Sequence, residues 1–148
     1  MKVLITGGSG FIGSNYILQN INDFEILNYD NLTYAGRNNN LNKIQDNPNY
    51  IFTKGDICDF NYLFETINTF QPNAIIHFAA ESHVDRSIDN PISFIKTNIM
   101  GTALLLKAAL KYWLESKIQF RFIHVSTDEV FGSLEEDDLF NEESKYST

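Results

Sequence analysis

Three glycines, Gly7, Gly10 and Gly13, follow an apolar run (residues 2–6) that is typical of a buried β-strand. Residues 14–21, directly after them, are compatible with a helix. A turn from strand into helix needs glycines, because they adopt positive φ and let a ligand approach the backbone closely. The N–H groups at the helix N-terminus then bind an anion, helped by the helix dipole. The spacing predicts the pyrophosphate cradle of a dinucleotide-binding unit; a simple glycine-rich turn is the alternative.

An aspartate, Asp30, ends the next predicted strand (residues 25–29) and lies 17 residues after Gly13. At this place in a dinucleotide-binding unit, a carboxylate accepts hydrogen bonds from the adenosine ribose and repels a 2′-phosphate. The pattern therefore predicts NAD rather than NADP. Arg37 in the following loop weakens that preference, because an arginine can hold a phosphate. The alternative is that Asp30 only initiates a turn before Asn31.

Strand and helix signals alternate along the rest of the chain. Apolar runs predict strands at residues 50–53, 74–78 and 120–125, and Asp59 is a candidate N-cap for a helix through Ile67. Near-continuous apolar strands separated by helices indicate a parallel sheet covered on both faces. We predict an α/β fold with a Rossmann-type doubly wound parallel sheet. Residues 1–148 would form one NAD-binding domain, in which residues 134–148 are an acidic loop or tail.

Composition limits the class of protein and its partners. The chain has 148 residues, of which 43% are hydrophobic and 20% charged, the profile of a globular protein. Its net charge is −8, but six acidic residues lie between positions 135 and 143. Residues 1–134 therefore carry 13 acidic and 10 basic residues, an ordinary surface that does not suit the backbone of a nucleic acid.

Cysteine and histidine usage indicates a reducing compartment and no metal site. Cys58 is the single cysteine, which excludes an internal disulfide, and we interpret it as a small core residue. His77 and His124 fall in apolar strands and are interpreted as packed core residues, and no ligand spacing indicates a metal. No apolar run reaches membrane-spanning length, and Met1 opens directly onto a strand, so neither anchor nor signal peptide is expected. We predict a cytoplasmic protein.

A long helix is predicted from Pro91 to about Ser116, with proline at its first position. Its apolar residues cover more of its circumference than contact with one sheet needs. One stripe consists of Ile92, Ile95, Ile99, Leu106 and Trp113, and a second of Phe94, Leu104, Leu105, Ala108 and Tyr112. Burial in the core is one explanation; the one we favour is a homodimer interface formed by this helix.

Four strings in the sequence together resemble one enzyme family. They are residues 6–13 (TGGSGFIG), 30–36 (DNLTYAG), 79–87 (AAESHVDRS) and 126–132 (STDEVFG). The first is similar to the extended short-chain dehydrogenase/reductase superfamily. All four resemble the nucleoside-diphosphate-glucose 4,6-dehydratases, a likeness that runs from Lys2 to about Phe140. The resemblance implies NAD as cofactor, dTDP-glucose or UDP-glucose as the sugar-nucleotide substrate, and a 4-keto-6-deoxy sugar nucleotide as product.

The resemblance also implies which residues contact the cofactor. The pyrophosphate would be held by Gly7, Gly10, Phe11, Ile12 and Gly13. The adenosine ribose would be held by Asp30, Asn31, Leu32 and Thr33, and the adenine by Asp56 and Ile57. The segment that passes beneath the cofactor would be Phe78, Ala79, Ala80 and Ser82, with Ser82 also near the sugar. Thr97 would contact NAD from the long helix.

Thr127, Asp128 and Glu129 follow a predicted central strand, at the edge where open α/β sheets bind ligands. Hydride removal at the sugar C4 hydroxyl leaves a ketone that acidifies the C5 proton, and loss of water across C5–C6 then needs a base and an acid. Two carboxylates in different surroundings can divide these tasks. By resemblance, Asp128 is the acid toward the C6 hydroxyl, Glu129 the base at C5, and Thr127 a substrate contact. From the residues alone, the acidic pair fits the first turn of a helix equally well.

The superfamily also pairs a tyrosine with a lysine four residues later. We expect no such pair in this chain, since Tyr146 is followed only by Ser147 and Thr148. We therefore expect the N-terminal, cofactor-binding portion of a dehydratase, which binds NAD and is inactive by itself. A stand-alone NAD-binding module is one alternative. A part of a sugar-nucleotide epimerase or decarboxylase is another, although the Asp-Glu pair favours dehydration.

Overall fold

The structure is a computed structural model, which describes residues 1–134 and 139–147. Five parallel strands form one sheet in the order β3-β2-β1-β4-β5. The strands are β1 (Lys2–Thr6), β2 (Glu25–Asp30), β3 (Tyr50–Lys54), β4 (Ala74–His77) and β5 (Arg121–His124). The strand order reverses direction between β1 and β4, which creates the crevice where open α/β sheets bind ligands. The predicted Rossmann-type doubly wound fold is confirmed.

Helices connect the strands on both faces of the sheet. They are α1 (Phe11–Asn20), α2 (Phe60–Phe70), α3 (Val84–Asp89), α4 (Pro91–Phe94) and α5 (Thr102–Ser116), with 3₁₀ segments at Asn38–Ile44 and Asp128–Phe131. The predicted start of α1 was three residues late, because Gly10 is its N-cap in an extended conformation (φ −74°, ψ 178°). The predicted cap of α2 is confirmed: Asp59 Oδ1 accepts a hydrogen bond from the Tyr62 N–H at 3.1 Å.

The two faces of the sheet bury separate apolar clusters. On β1, Leu4 packs toward α2 and α5, whereas Val3 and Ile5 pack with Ile17 of α1 on the opposite face. Alternate residues of a strand point to opposite faces, so a buried parallel strand is apolar throughout. This two-sided burial fixes the position of the loops at the carboxyl ends of the strands.

The long helix begins at Pro91 as predicted, but a π-helical segment (Ile95–Gly101) separates α4 from α5. The second apolar stripe is largely in the core, where Leu105, Ala108 and Tyr112 are buried. The first stripe is exposed: Ile92, Ile99 and Trp113 keep 71%, 65% and 47% of their surface accessible. Burial of the whole helix within the single chain is therefore excluded, and the homodimer stays a prediction.

Two single-residue predictions need correction. Cys58 is half-buried rather than part of the core, its thiol donates to the Lys96 carbonyl at 3.3 Å, and burial raises its pKa. His77 is buried as predicted, but His124 is exposed, because β5 is the last strand of the described sheet.

The predicted acidic tail lies partly outside the described residues, since it includes positions 135–138. In the described part, the rings of Phe140 and Tyr146 pack against Phe131 at centroid distances of 5.3 and 5.4 Å. Within the described ranges, none of the helices has the length and apolar content needed to cross a membrane.

Candidate functional site

A cavity of about 850 Å³ opens at the carboxyl ends of the strands. Its wall contains every predicted site residue except Leu32 and Asp128. The lining members of that set are Gly7, Gly10, Phe11, Ile12, Gly13, Asp30, Asn31, Thr33, Asp56, Ile57, Phe78, Ala79, Ala80, Ser82, Thr97, Thr127 and Glu129. The fold thus brings together residues that are up to 122 positions apart in the sequence. The roles assigned to them remain predictions.

The glycine loop has the geometry of an anion cradle. Gly7 has φ +71°, and a Cβ there would lie 2.5 Å from the backbone nitrogen of Ala79. At Gly13 a Cβ would lie 2.5 Å from the Gly7 carbonyl oxygen, so both positions require glycine. Gly10 is open, with only the Gly7 oxygen near its Cβ position, at 3.3 Å. The first N–H groups of α1 have no partner within the helix, so Phe11 and the residues after it can bind a pyrophosphate here.

Ser9 anchors this loop to strand β2 and the segment beyond it. It is fully buried, and its N–H donates to Asp30 Oδ2 at 2.9 Å. Its hydroxyl accepts from Asn28 Nδ2 at 3.0 Å, and its carbonyl accepts from the Arg37 N–H and from Asn40 Nδ2. The loop therefore has little freedom to move away from β2.

The Asp30 carboxylate accepts hydrogen bonds from backbone N–H groups and also lines the cavity. Its second carboxylate oxygen accepts from the Leu32 N–H at 2.8 Å, and Leu32 has φ +54°. This local turn directs Leu32 away from the cavity. The alternative that Asp30 initiates a turn is therefore correct, but it does not exclude a role for the carboxylate in the cavity. The carboxylate also lines the cavity beside Gly36, where a Cβ would approach Asp30 Oδ1 to 2.8 Å. The two oxygens keep lone pairs for a ribose hydroxyl.

The loop after β3 forms the end of the cavity beyond Asp30. Asp56 Oδ1 accepts from the Cys58 N–H at 2.8 Å, and its Oδ2 accepts from Asn31 Nδ2 at 3.3 Å. The Tyr29 hydroxyl donates to the Asp56 carbonyl, and burial, with Asp59 nearby, holds the pKa of Tyr29 well above its usual range. These bonds order the loop that the resemblance assigns to the adenine.

A side-chain clamp from the π-helical segment holds the residues after β4. Asn98 Oδ1 accepts from the Glu81 N–H and Asn98 Nδ2 donates to the Glu81 carbonyl, both at 2.8 Å. These two hydrogen bonds resemble the pair that a neighbouring β-strand would form with the Glu81 backbone. Asn98 belongs to a π-helical segment, and π-helical turns often occur at functional sites. Our sequence analysis missed Asn98, and the signal was present: Asn98 directly follows Thr97, which the resemblance assigns to the cofactor.

The predicted catalytic residues lie at the start of the short 3₁₀ segment after β5, where Thr127 is the N-cap, and all three are exposed. The Thr127 hydroxyl accepts from the Glu129 N–H and donates to Asp128 Oδ1, each at 3.3 Å. Glu129 lines the cavity, whereas the Asp128 carboxylate is held at Thr127 and does not. Within the chain, this arrangement also fits ordinary capping of a helical turn.

The expectation that the chain has no Tyr-x-x-x-Lys pair needs correction: the spacing occurs once, at Tyr50 and Lys54, but on β3 rather than on a helix after β5. The Tyr50 hydroxyl accepts from Asn28 Nδ2 at 3.0 Å, and burial raises its pKa. Neither residue lines the cavity. A catalytic tyrosine needs a lowered pKa, so this pair does not serve that role. Among the residues that the structure describes, no group of His, Cys, Asp and Glu is placed to hold a metal ion.

Comparison with known proteins identifies relatives of the whole chain. A family model described as GDP-mannose 4,6 dehydratase matches residues 4–148. The dTDP-glucose 4,6-dehydratase of Haemophilus influenzae is 47% identical over 99% of this chain and 45% of its own length. The chain thus spans less than half the length of the curated relatives it matches.

Solved structures give the same result. The dTDP-glucose 4,6-dehydratase of Bacillus anthracis, in complex with NAD, is 41% identical with a TM-score of 0.84, over 99% of this chain and 44% of that one. The Streptomyces venezuelae dTDP-glucose 4,6-dehydratase, also with NAD bound, is 39% identical with a TM-score of 0.87, over 99% and 45% of the two chains. The family model matches nearly the whole chain, and the chain therefore belongs to the GDP-mannose 4,6 dehydratase family.

Proposed function

We propose that the chain is the NAD-binding portion of a sugar-nucleotide 4,6-dehydratase that acts on dTDP-glucose or UDP-glucose. The observation that carries the proposal is the single cavity wall shared by the glycine loop, Asp30 and Glu129. Relatives with NAD bound and with more than twice this length support it. In this proposal residues 1–148 are one NAD-binding domain.

The cofactor fits the residues present. Its pyrophosphate would lie on the loop at Gly10, where the backbone is open, and the N–H groups that begin α1 would bind it. Asp30 would accept a hydrogen bond from the adenosine ribose, and its negative charge favours NAD over NADP. Asp56 and Ile57 would contact the adenine, and Thr97 would contact NAD from the π-helical segment. When bound, NAD supplies the hydride acceptor and donor that this chemistry needs.

Chain residues after β5 would handle the protons. Glu129 lines the cavity and would take the C5 proton, while Asp128 would protonate the departing C6 hydroxyl. Asp128 is exposed and held by Thr127, so in this proposal it turns toward the substrate when the sugar nucleotide binds. Thr127 and Ser82 would contact the sugar. No tyrosine–lysine pair serves the cavity among the described residues, so we expect no turnover by this chain alone.

Two assays test the proposal. Calorimetric titration of the chain is expected to show saturable NAD binding, at least about tenfold tighter than NADP, because a 2′-phosphate meets the Asp30 carboxylate. Incubation with NAD and dTDP-glucose or UDP-glucose is expected to give no 4-keto-6-deoxy product, and a longer protein containing this chain is expected to give it. Detection of the 4-keto-6-deoxy product with the chain alone would refute the expectation that the chain is inactive by itself. If the longer protein gave an epimerised or decarboxylated sugar nucleotide, dehydration would be refuted and the protein would be an epimerase or a decarboxylase.

A further inference from the structure

His77 ends β4 and has polar partners on two sides of its ring, although only 1% of its surface is exposed. Its Nδ1 lies 2.6 Å from Thr6 Oγ1, and its Nε2 lies 3.0 Å from Thr102 Oγ1. In a neutral imidazole one ring nitrogen donates and the other accepts, so both nitrogens are satisfied by hydroxyl groups. His77 itself is not among the residues that line the cavity.

The two threonines adjoin two different parts of the cavity lining. Thr6 is the last residue of β1 and directly precedes Gly7 of the glycine loop. Thr102 is the first residue of α5, directly after the π-helical segment that carries Thr97, and it lines the cavity. A hydrogen-bonded chain from Thr6 through His77 to Thr102 therefore joins the phosphate side of the cavity to its helical side.

The surroundings keep His77 neutral, which this bridge requires. Burial, and to a smaller extent the charge of His124, whose ring is stacked at a centroid distance of 5.1 Å, together lower the pKa of His77 to about 4. Near neutral pH the imidazole therefore offers one donor and one acceptor. An aliphatic residue would satisfy neither threonine hydroxyl.

We infer that His77 is a positioning residue for the cofactor: it fixes the distance between the glycine loop and the start of α5, so that NAD contacts both walls at once. This inference rests on the proposed NAD-binding function. It predicts that the Thr102 side of the bridge affects ligands that reach the start of α5, and has little effect on ligands held by β2, the glycine loop and the loop after β3. NAD is a ligand of the first kind and ADP of the second.

The test measures NAD and ADP affinity of the 148-residue chain and its variants by calorimetry. In His77→Asn, the side-chain amide lies where His77 places Nδ1, so the contact to Thr6 is kept and the contact to Thr102 is lost. We expect NAD affinity to fall about five- to tenfold and ADP affinity to stay within about twofold. Thr102→Val, which keeps the shape of the side chain and removes the hydroxyl, is expected to show the same changes in NAD and ADP affinity as His77→Asn. Thr102→Ser, which keeps the hydroxyl, is expected to restore NAD affinity.

A double variant separates positioning through His77 from direct contact by Thr102. Because both changes remove the same hydrogen bond, His77→Asn combined with Thr102→Val is expected to bind NAD no more weakly than either single variant. Thr66→Val is the matched control, since the Thr66 hydroxyl donates to the Tyr62 carbonyl at 2.8 Å on α2, outside the cavity.

Four results would overturn the inference. Additive losses in the double variant would mean that Thr102 acts by itself, and equal losses of NAD and ADP affinity would indicate general destabilisation. If His77→Asn bound NAD as tightly as the original chain, the positioning role of His77 would be refuted while the proposed NAD-binding function would stand. If the original chain bound neither NAD nor ADP, the proposed function would fail and the inference would fail with it.

Discussion

Replacing Gly7 by alanine tests whether the glycine loop is held against the strand beside it. Gly7 has φ +71°, and its new Cβ would lie 2.5 Å from the Ala79 nitrogen and 2.8 Å from the Phe78 carbonyl carbon. These are backbone atoms of a half-buried segment that continues β4, and unlike a side chain they cannot rotate away. The left-handed conformation costs an alanine about 1–2 kcal/mol. The overlap adds about 1–3 kcal/mol, as overpacking does elsewhere.

We therefore expect Gly7→Ala to lower the free energy of unfolding by about 2–5 kcal/mol, measured by urea titration followed by circular dichroism. Gly10→Ala is the matched control, because Gly10 is extended and has one neighbouring atom at 3.3 Å. It is expected to cost less than about 1 kcal/mol of stability, while its methyl group weakens NAD binding. Equal destabilisation by the two variants, or a neutral Gly7→Ala, would refute this explanation of the loop.

Three further predictions concern the rest of the chain. The folded-state pKa of His77, about 4, is below the ordinary 6.5, so its contribution to stability is present above pH 6.5 and is lost as the pH falls toward 4. Between pH 7 and pH 5 the original chain is therefore expected to lose about 2 kcal/mol more unfolding free energy than His77→Asn, and parallel curves would contradict this. Asp59→Ala is expected to lower stability by about 1 kcal/mol through loss of the cap on α2, and Asp59→Asn to retain most of it; equal losses in urea titrations would exclude the cap as the cause. Light scattering after size-exclusion chromatography is expected to show a dimer formed through the exposed stripe at Ile92, Ile99 and Trp113, and a stable monomer at micromolar concentration would rule it out.

Local sequence patterns predicted the parts of the site that depend on neighbouring residues. The glycine spacing from Gly7 to Gly13 predicted the strand-to-helix turn, because positive φ and close backbone packing are local demands that glycine alone meets well. Asp30 was predicted from its position at the end of a strand. Asp59 was predicted from the standard chemistry of an N-cap, and its bond to the Tyr62 N–H confirms it.

Features that depend on distant contacts were not predictable in the same way. The bridge from His77 joins residues 71 and 25 positions away, and in the sequence His77 reads only as a residue of an apolar strand. The π-helical segment has the same apolar periodicity as the helix around it, so periodicity did not reveal it. His124 was wrongly assigned to the core because an apolar run does not show whether its strand lies inside the sheet or at the edge.

We expect NAD to bind in the cavity at the carboxyl ends of the strands. Titration of the isotopically labelled chain with NAD, followed through its backbone amide resonances, locates the binding site residue by residue. Shifts are expected in the loop at residues 7–13, in the segment after Asp30 and in residues 126–129, while the exposed residues of α2 stay unchanged. Saturable shifts confined to other surfaces, or no shifts at millimolar NAD, would contradict binding of NAD in this cavity.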